Sequence, residues 1–200
     1  MNEDWNLHCP EALSDIQRAT EAAGFSMASD QLTGSLLRVL AASKPGGALL
    51  ELGTGTGMGA SWLLSGMDAA STLDTVDNDG GVVGIARRFL GHDSRVRFHI
   101  SEGAAFLATL AGRHFDLIFA DTWPGKFDHL EDALSLLRPG GIYVVDDLLP
   151  QPSWPVEHGP KILRFLQALE QRPDLHITRL SWSTGLLLAT KRPIRIERNA

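Results

Sequence analysis

Between residues 48 and 145 the chain repeats one pattern: a short run of consecutive apolar residues, then a stretch spaced for a helix. The runs cover 48–52, 73–76, 96–100, 116–120 and 142–145. Between the last two, Phe127, Leu130, Leu134 and Leu137 recur at intervals that put them on one helix face. Uninterrupted apolar runs separated by helices mean parallel strands buried on both faces. Such crossovers are right-handed, which leaves few topologies. The rhythm then changes. A helix over 161–171, with Ile162, Phe165, Leu166 and Leu169 inward, is followed by runs at 176–182 and 185–190. Only Ser183 and Thr184 separate these two runs, a gap that suits a hairpin and cannot hold a crossover helix. The expectation is a doubly wound α/β fold whose seven-stranded, mostly parallel sheet has one antiparallel edge strand.

Two helices precede the first run. Residues 11–23 form one, opened by Pro10 and closed by Gly24. The second follows Ser29 or Asp30 as N-cap, with Leu32, Leu36, Val39 and Leu40 as its apolar face. The 200 residues fit one domain, read as an N-terminal helical cap over 1–30 and a core over 31–191. A net charge of -6 argues against a nucleic-acid partner, which calls for a basic face. The basic residues Lys191, Arg192, Arg195 and Arg198 read as a solvated tail. Cys9 is the lone cysteine, so there is no internal disulfide and no cysteine-based metal site. With no signal-like start and no long apolar run, the chain reads as cytoplasmic with no membrane partner.

The segment Glu51-Leu-Gly-Thr-Gly-Thr-Gly-Met-Gly59 lies between a strand and a helix. A glycine-rich tight turn would not need four glycines at alternating positions, so a ligand that approaches the main chain is implied. Gly55, Gly57 and Ala60 can be written as a dinucleotide fingerprint, which would seat a pyrophosphate on the helix N-terminus. Glu51 argues against that, because a carboxylate sits badly beside a pyrophosphate and suits a cationic ligand. S-adenosylmethionine has an ammonium and a sulfonium and no phosphate.

Acids close the other strands. Asp77 stands 24 positions after Gly53, where an acid grips ribose hydroxyls, with Asn78 and Asp79 following. The third run ends in Ser101-Glu102-Gly103, where Glu102 can accept from an adenine amine or serve as a charge on the next helix. The fourth ends in Asp121-Thr-Trp and the fifth in Asp146-Asp147. Acids at the carboxyl ends of neighbouring parallel strands converge on the crevice where open α/β sheets bind ligands. Trp123 and Trp154 flank the same ends and either wall a pocket for a flat acceptor or pack beneath loops.

Residues 51–59, 76–79, 115–121 and the turn Leu137-Arg-Pro-Gly-Gly-Ile142 resemble the successive motifs of the Rossmann-like S-adenosylmethionine-dependent methyltransferases. The likeness spans 30–191 and looks strongest to the small catechol and caffeoyl-CoA type O-methyltransferases. It implies methyl transfer to a small-molecule acceptor, most naturally a hydroxyl. A nitrogen or macromolecular acceptor, or a relative that does not methylate, is the alternative. By resemblance, Glu51, Gly53, Thr54, Gly55 and Gly57 would border the methionine end of the cofactor. Asp77 and Asn78 would hold the ribose, Ser101, Glu102 and Gly103 the adenine, and Asp121 would reach both cofactor and acceptor. Asp121, Asp146 and Asp147 match positions that bind a divalent cation in the catechol-type enzymes, and hard oxygen ligands point to Mg2+ or Mn2+. The other reading makes Asp147 a cap and Asp121 an acceptor for backbone amides. The family has a lysine three residues after the first aspartate; this chain has Pro124 there and Lys126 two positions on. Asp121 and Lys126 are the catalytic candidates, with His129 and His158 as further acid/base groups if no metal is used. A homodimer stays open.

Overall fold

The computed structural model describes residues 8–151 and 156–193. Trp154 and the basic positions Arg195 and Arg198 lie outside them. Seven strands form one sheet: β1 (Ala48–Leu52), β2 (Thr72–Asp77), β3 (Val96–Ile100), β4 (Phe115–Ala120), β5 (Leu137–Val145), β6 (Leu175–Leu180) and β7 (Leu186–Lys191). The order is β3-β2-β1-β4-β5-β7-β6. Strands β1 to β5 pair in parallel, and β7 pairs antiparallel with both β5 and β6. The antiparallel pairing is at the expected edge; the reversed strand β7 is one place in, and β6 forms the rim. The order reverses between β1 and β4, so their C-terminal ends open the crevice.

Side chains alternate along each central strand, and both faces are covered, as continuous apolar runs require. Leu50, Leu52, Ile118, Ala120, Tyr143 and Val145 face a layer holding α5 (Gly103–Thr109), α6 (Leu130–Ser135) and α7 (His158–Glu170). Leu49, Leu73, Leu117, Phe119 and Val144 face the opposite layer, which holds α1 (Leu13–Ala22), α2 (Gln31–Ala42), α3 (Met58–Gly66) and α4 (Gly80–Leu90). The Arg-Pro-Gly-Gly turn lies inside β5 as an irregularity: Phe115 pairs with Leu137, but Leu117 pairs with Ile142. Arg138 holds it down by donating to Asp116 at 2.6 Å.

Asp30 caps α2 through the N–H groups of Leu32 and Thr33. The apolar face expected for α2 is not the buried one. Thr33, Gly34, Leu37 and Ala41 are buried, while Val39 is 61% exposed and Leu32, Leu36 and Leu40 are half-buried. Close approach decides this. Small residues let α2 lie directly on α3, where the indole of Trp62 is fully buried. A Cβ at Gly34 would stand 2.1 Å from Trp62 Cδ1. Apolar size was a poor guide because backbone proximity sets the interface.

Gly34→Ala should therefore destabilise the chain by about 1–3 kcal/mol through overpacking. Gly84→Ala, on the exposed side of α4 with open space around it, should stabilise by roughly 0.5–1 kcal/mol. Urea unfolding of the two variants checks the pair, and equal effects would contradict the packing of α2 on α3.

Candidate active site

A crevice of about 230 Å³ opens at the C-terminal ends of β1 to β4. Gly53, Asp77, Asn78, Ser101, Glu102 and Gly103 line it, as the sequence suggested, and Thr122, Trp123 and Pro124 form the facing wall. Gly53 holds φ 104°, and a Cβ there would come within 2.9 Å of the Asp121 carbonyl oxygen. The position where β1 and β4 diverge thus admits no side chain. Asp77 is fixed from below: its carboxylate accepts from Gly55 N–H at 2.9 Å and Asp79 N–H at 3.0 Å. Asn78 donates to Glu102 across the crevice at 3.1 Å.

Glu51 is placed differently from the expectation. It is 1% exposed and points beneath the first turn of α3, away from the crevice lining. Its Oε2 accepts from Thr75 Oγ1 at 2.6 Å, Thr75 in turn shares a hydrogen bond with Thr54, and Oε1 has no hydrogen-bond partner. Burial pushes its pKa up to about 8, against the Thr75 hydrogen bond and with Asp77 adding repulsion. Thr54, Gly55 and Gly57 likewise support the loop without lining the crevice. Residue alternation explains this placement. Glu51 shares the face of Leu49, and that face is roofed by α3.

The acids after β4 and β5 do meet. Asp121 Oδ2 accepts from Ser29 Oγ at 2.8 Å, and Asp146 Oδ1 accepts from Asp147 N–H at 2.7 Å and from Thr184 Oγ1. Lys126 is 3% exposed and donates from Nζ to the Asp146 carbonyl at 2.5 Å. Asp147 holds a left-handed backbone, φ 58°, at a cost on the order of 1–3 kcal/mol for a non-glycine residue. The β6–β7 hairpin keeps it there, since Leu148 and Leu149 N–H donate to Gly185 and Thr184. Burial and the charges of Asp146 and Asp147 hold the Asp121 carboxyl well above the usual carboxylate range. Burial likewise pushes Asp146 up to about 6, with Asp147 adding to it and the Thr184 hydrogen bond opposing. Burial draws the Lys126 ammonium down, and the three carboxylates act against that.

Around this cluster His158 is buried, its ring against Trp123 and Phe127. His129 is exposed and bonded to Asp132 at 2.8 Å. The sequence offered Ser29 only as a helix cap and Thr184 only as a hairpin residue, not as partners of the acids. Isolated hydroxyl residues 92 and 38 positions from their partners leave no local signal.

Residues 50–148 match the methyltransferase domain family. That stretch is a methyltransferase domain. Among solved structures, the chain is similar to the O-methyltransferase TomG of Streptomyces achromogenes, solved in complex with SAM, at 26% identity and TM-score 0.79, covering 92% and 90% of the two chains. An O-methyltransferase from Bacillus cereus in complex with SAH shares the fold, at 21% identity and TM-score 0.80 over 90% of each chain. A Mycolicibacterium paratuberculosis protein described as an O-methyltransferase is 35% identical over 117 residues, 56% of this chain and 53% of its own. The chain thus matches about half the length of that relative. No helix among the described residues is long and apolar enough to cross a membrane.

The crevice fits the cofactor expected of this methyltransferase fold, with Asp77 and Glu102 offering acceptors for hydroxyl and amine hydrogens. The cation site fits less well. Asp121, Asp146 and Asp147 share two strand ends, yet no three His, Cys, Asp or Glu side chains among the described residues are arranged to hold a metal ion. Ser29, Thr184 and the Asp147 amide donate to oxygens of Asp121 and Asp146.

Glu51→Gln separates burial from charge. Glu51 is neutral in the folded chain up to about pH 8 and ionises near 4.5 when unfolded. The folded state then binds the extra proton, so stability from Glu51 is full below pH 4.5 and falls as pH rises towards 8. The glutamine variant should gain on the wild type across that window, by up to about 1.4 kcal/mol per pH unit. Urea midpoints at pH 5 and pH 8 give the comparison; a constant difference would place Glu51 in solvent.

Proposed function

We propose that the chain transfers a methyl group from S-adenosylmethionine to a hydroxyl of a small-molecule acceptor. One observation carries this reading. A crevice edged by Asp77 and Glu102 abuts, at Gly53, the buried group of Asp121 and Lys126. Two carboxylates in the crevice accept the hydrogens of an adenosine. The O-methyltransferase descriptions of the relatives and the SAM complex of TomG support it.

When bound, the cofactor supplies an electrophilic methyl group on a sulfonium. The chain must align the acceptor oxygen and remove its proton. Such alignment contributes roughly 7–11 kcal/mol in well-oriented reactions. Asp121, whose burial raises its proton affinity, takes the hydroxyl proton, and the Lys126 ammonium stabilises the oxygen that remains. Trp123, 37% exposed on the crevice wall with Lys161 Nζ 3.3 Å from its ring centroid, closes the site against water on that side.

Calorimetry should show binding of S-adenosylmethionine and S-adenosylhomocysteine and none of NAD or NADP. Asp77→Ala should lose about 1.5–3 kcal/mol of cofactor affinity, the worth of hydrogen bonds to a charged group. Asp121→Asn should lower kcat by roughly 10²–10⁴-fold, the range for a lost general base. Tight nicotinamide binding without response to the methyl donor overturns the reading.

A further inference from the structure

The loop after β4 fixes the backbone of Trp123 more firmly than its side chain. The N–H groups of Lys126, Phe127 and Asp128 all donate to the Trp123 carbonyl, and Gly125 N–H donates to Asp128 O at 2.6 Å. The indole stands at the wet end of an aromatic row. Phe165 of α7 is buried and meets Phe127 at 6.1 Å between ring centres, and Phe127 meets Trp123 at 6.0 Å. At 37% exposure, Trp123 is the member of this row that apolar packing holds least.

The first turn of α7 supplies a further restraint. That helix buries His158, Ile162, Phe165 and Leu169, and Lys161, three residues after His158, flanks the buried face. The His158 ring centre is 6.4 Å from that of Trp123, and Lys161 Nζ is 3.3 Å from the Trp123 ring centroid. An ammonium at that distance covers one face of the indole, drawn by its negative quadrupole. Trp123 lines the crevice and Lys161 does not. The ammonium is therefore on the side of the ring turned from the crevice, and the other side is open to a ligand.

We propose that Lys161 is a positioning residue for the adenosine end of the cofactor: it holds the Trp123 indole as a preset wall on which a flat ring stacks. A wall oriented before the ligand arrives spares the ordering of its side chain on binding. The proposal rests on the cofactor reading above; the contact of Lys161 with Trp123 does not.

Calorimetry with S-adenosylhomocysteine and fluorine resonance of the full chain test it without any turnover. Lys161→Met, which keeps the stem and removes the charge, should bind about three- to tenfold more weakly, the worth of a cation over an indole. Lys161→Arg, which keeps a cation for the ring, should stay within about twofold of the wild type. In a Trp123→Leu background, Lys161→Met should change nothing further, because the ring through which it acts is gone. With 5-fluorotryptophan at the five tryptophans, Trp123→Leu assigns the Trp123 resonance. Lys161→Met should move that resonance in the ligand-free chain and leave the one of the buried Trp62 in place. Affinity equal to the wild type in Lys161→Met overturns the assignment. So does an equal loss in Lys161→Arg or in the Trp123→Leu background, or an unmoved Trp123 resonance. A wild type that does not bind S-adenosylhomocysteine overturns the cofactor reading and this assignment with it, whereas the other outcomes touch the assignment alone.

Discussion

The hydrogen bond from Asp121 N–H to Leu52 O, 2.9 Å long, is the last rung between β1 and β4, and the site depends on what happens beyond it. There the two chains part, one towards α3 and the other into the Trp123 turn. They part so closely that residue 53 can carry no Cβ. The parallel sheet dictates this point, since strand order reverses only between β1 and β4. Buried faces on both sides leave strand ends as the one place where polar side chains can gather around a ligand.

Electrostatics divides the gathered acids into two groups. Asp77 and Glu102 stay at the crevice, hydrogen-bonded but accessible to a ligand. Asp121 and Asp146 are withdrawn from water and hold protons more tightly. Under the proposed function, the same residue type serves recognition in one place and proton handling in the other, through burial and neighbouring charge.

The strand pattern was legible because apolar runs in a doubly covered sheet have no competing interpretation at this length. Six strands fall within two residues of their sequence-based bounds, and β5 begins five residues early, at Leu137, a position the helix spacing had claimed. The candidate site was legible where it depends on position along a strand: Asp77, Glu102, Asp121 and Asp146 all stand at or beside strand ends. It was opaque where three-dimensional proximity decides. Glu51 belongs to the motif by position and to the core by side-chain direction. The buried side of α2 follows the closeness of Trp62 to Gly34, which periodicity does not encode. Spacing alone also gave no sign that the turn after Trp123 would bring the Lys126 ammonium to the Asp146 carbonyl. Ser29 and Thr184 required knowledge of which distant segments return to the site.

The placement of β7 between β5 and β6 also bears on how the chain is made. β6 leaves the ribosome first, but its partner in the sheet is β7. A nascent chain that ends before residue 186 has a parallel sheet without its last two places filled. Asp146 then lacks the Thr184 hydroxyl only until the hairpin docks, and Trp182 Nε1 has not yet reached the Leu32 carbonyl, 150 residues earlier in the chain. Contacts across such separations form late, after the loop entropy they close has been overcome. The Asp146 side of the strand ends is therefore completed only when the hairpin docks, whereas every residue lining the crevice, from Gly53 to Pro124, belongs to earlier strand ends.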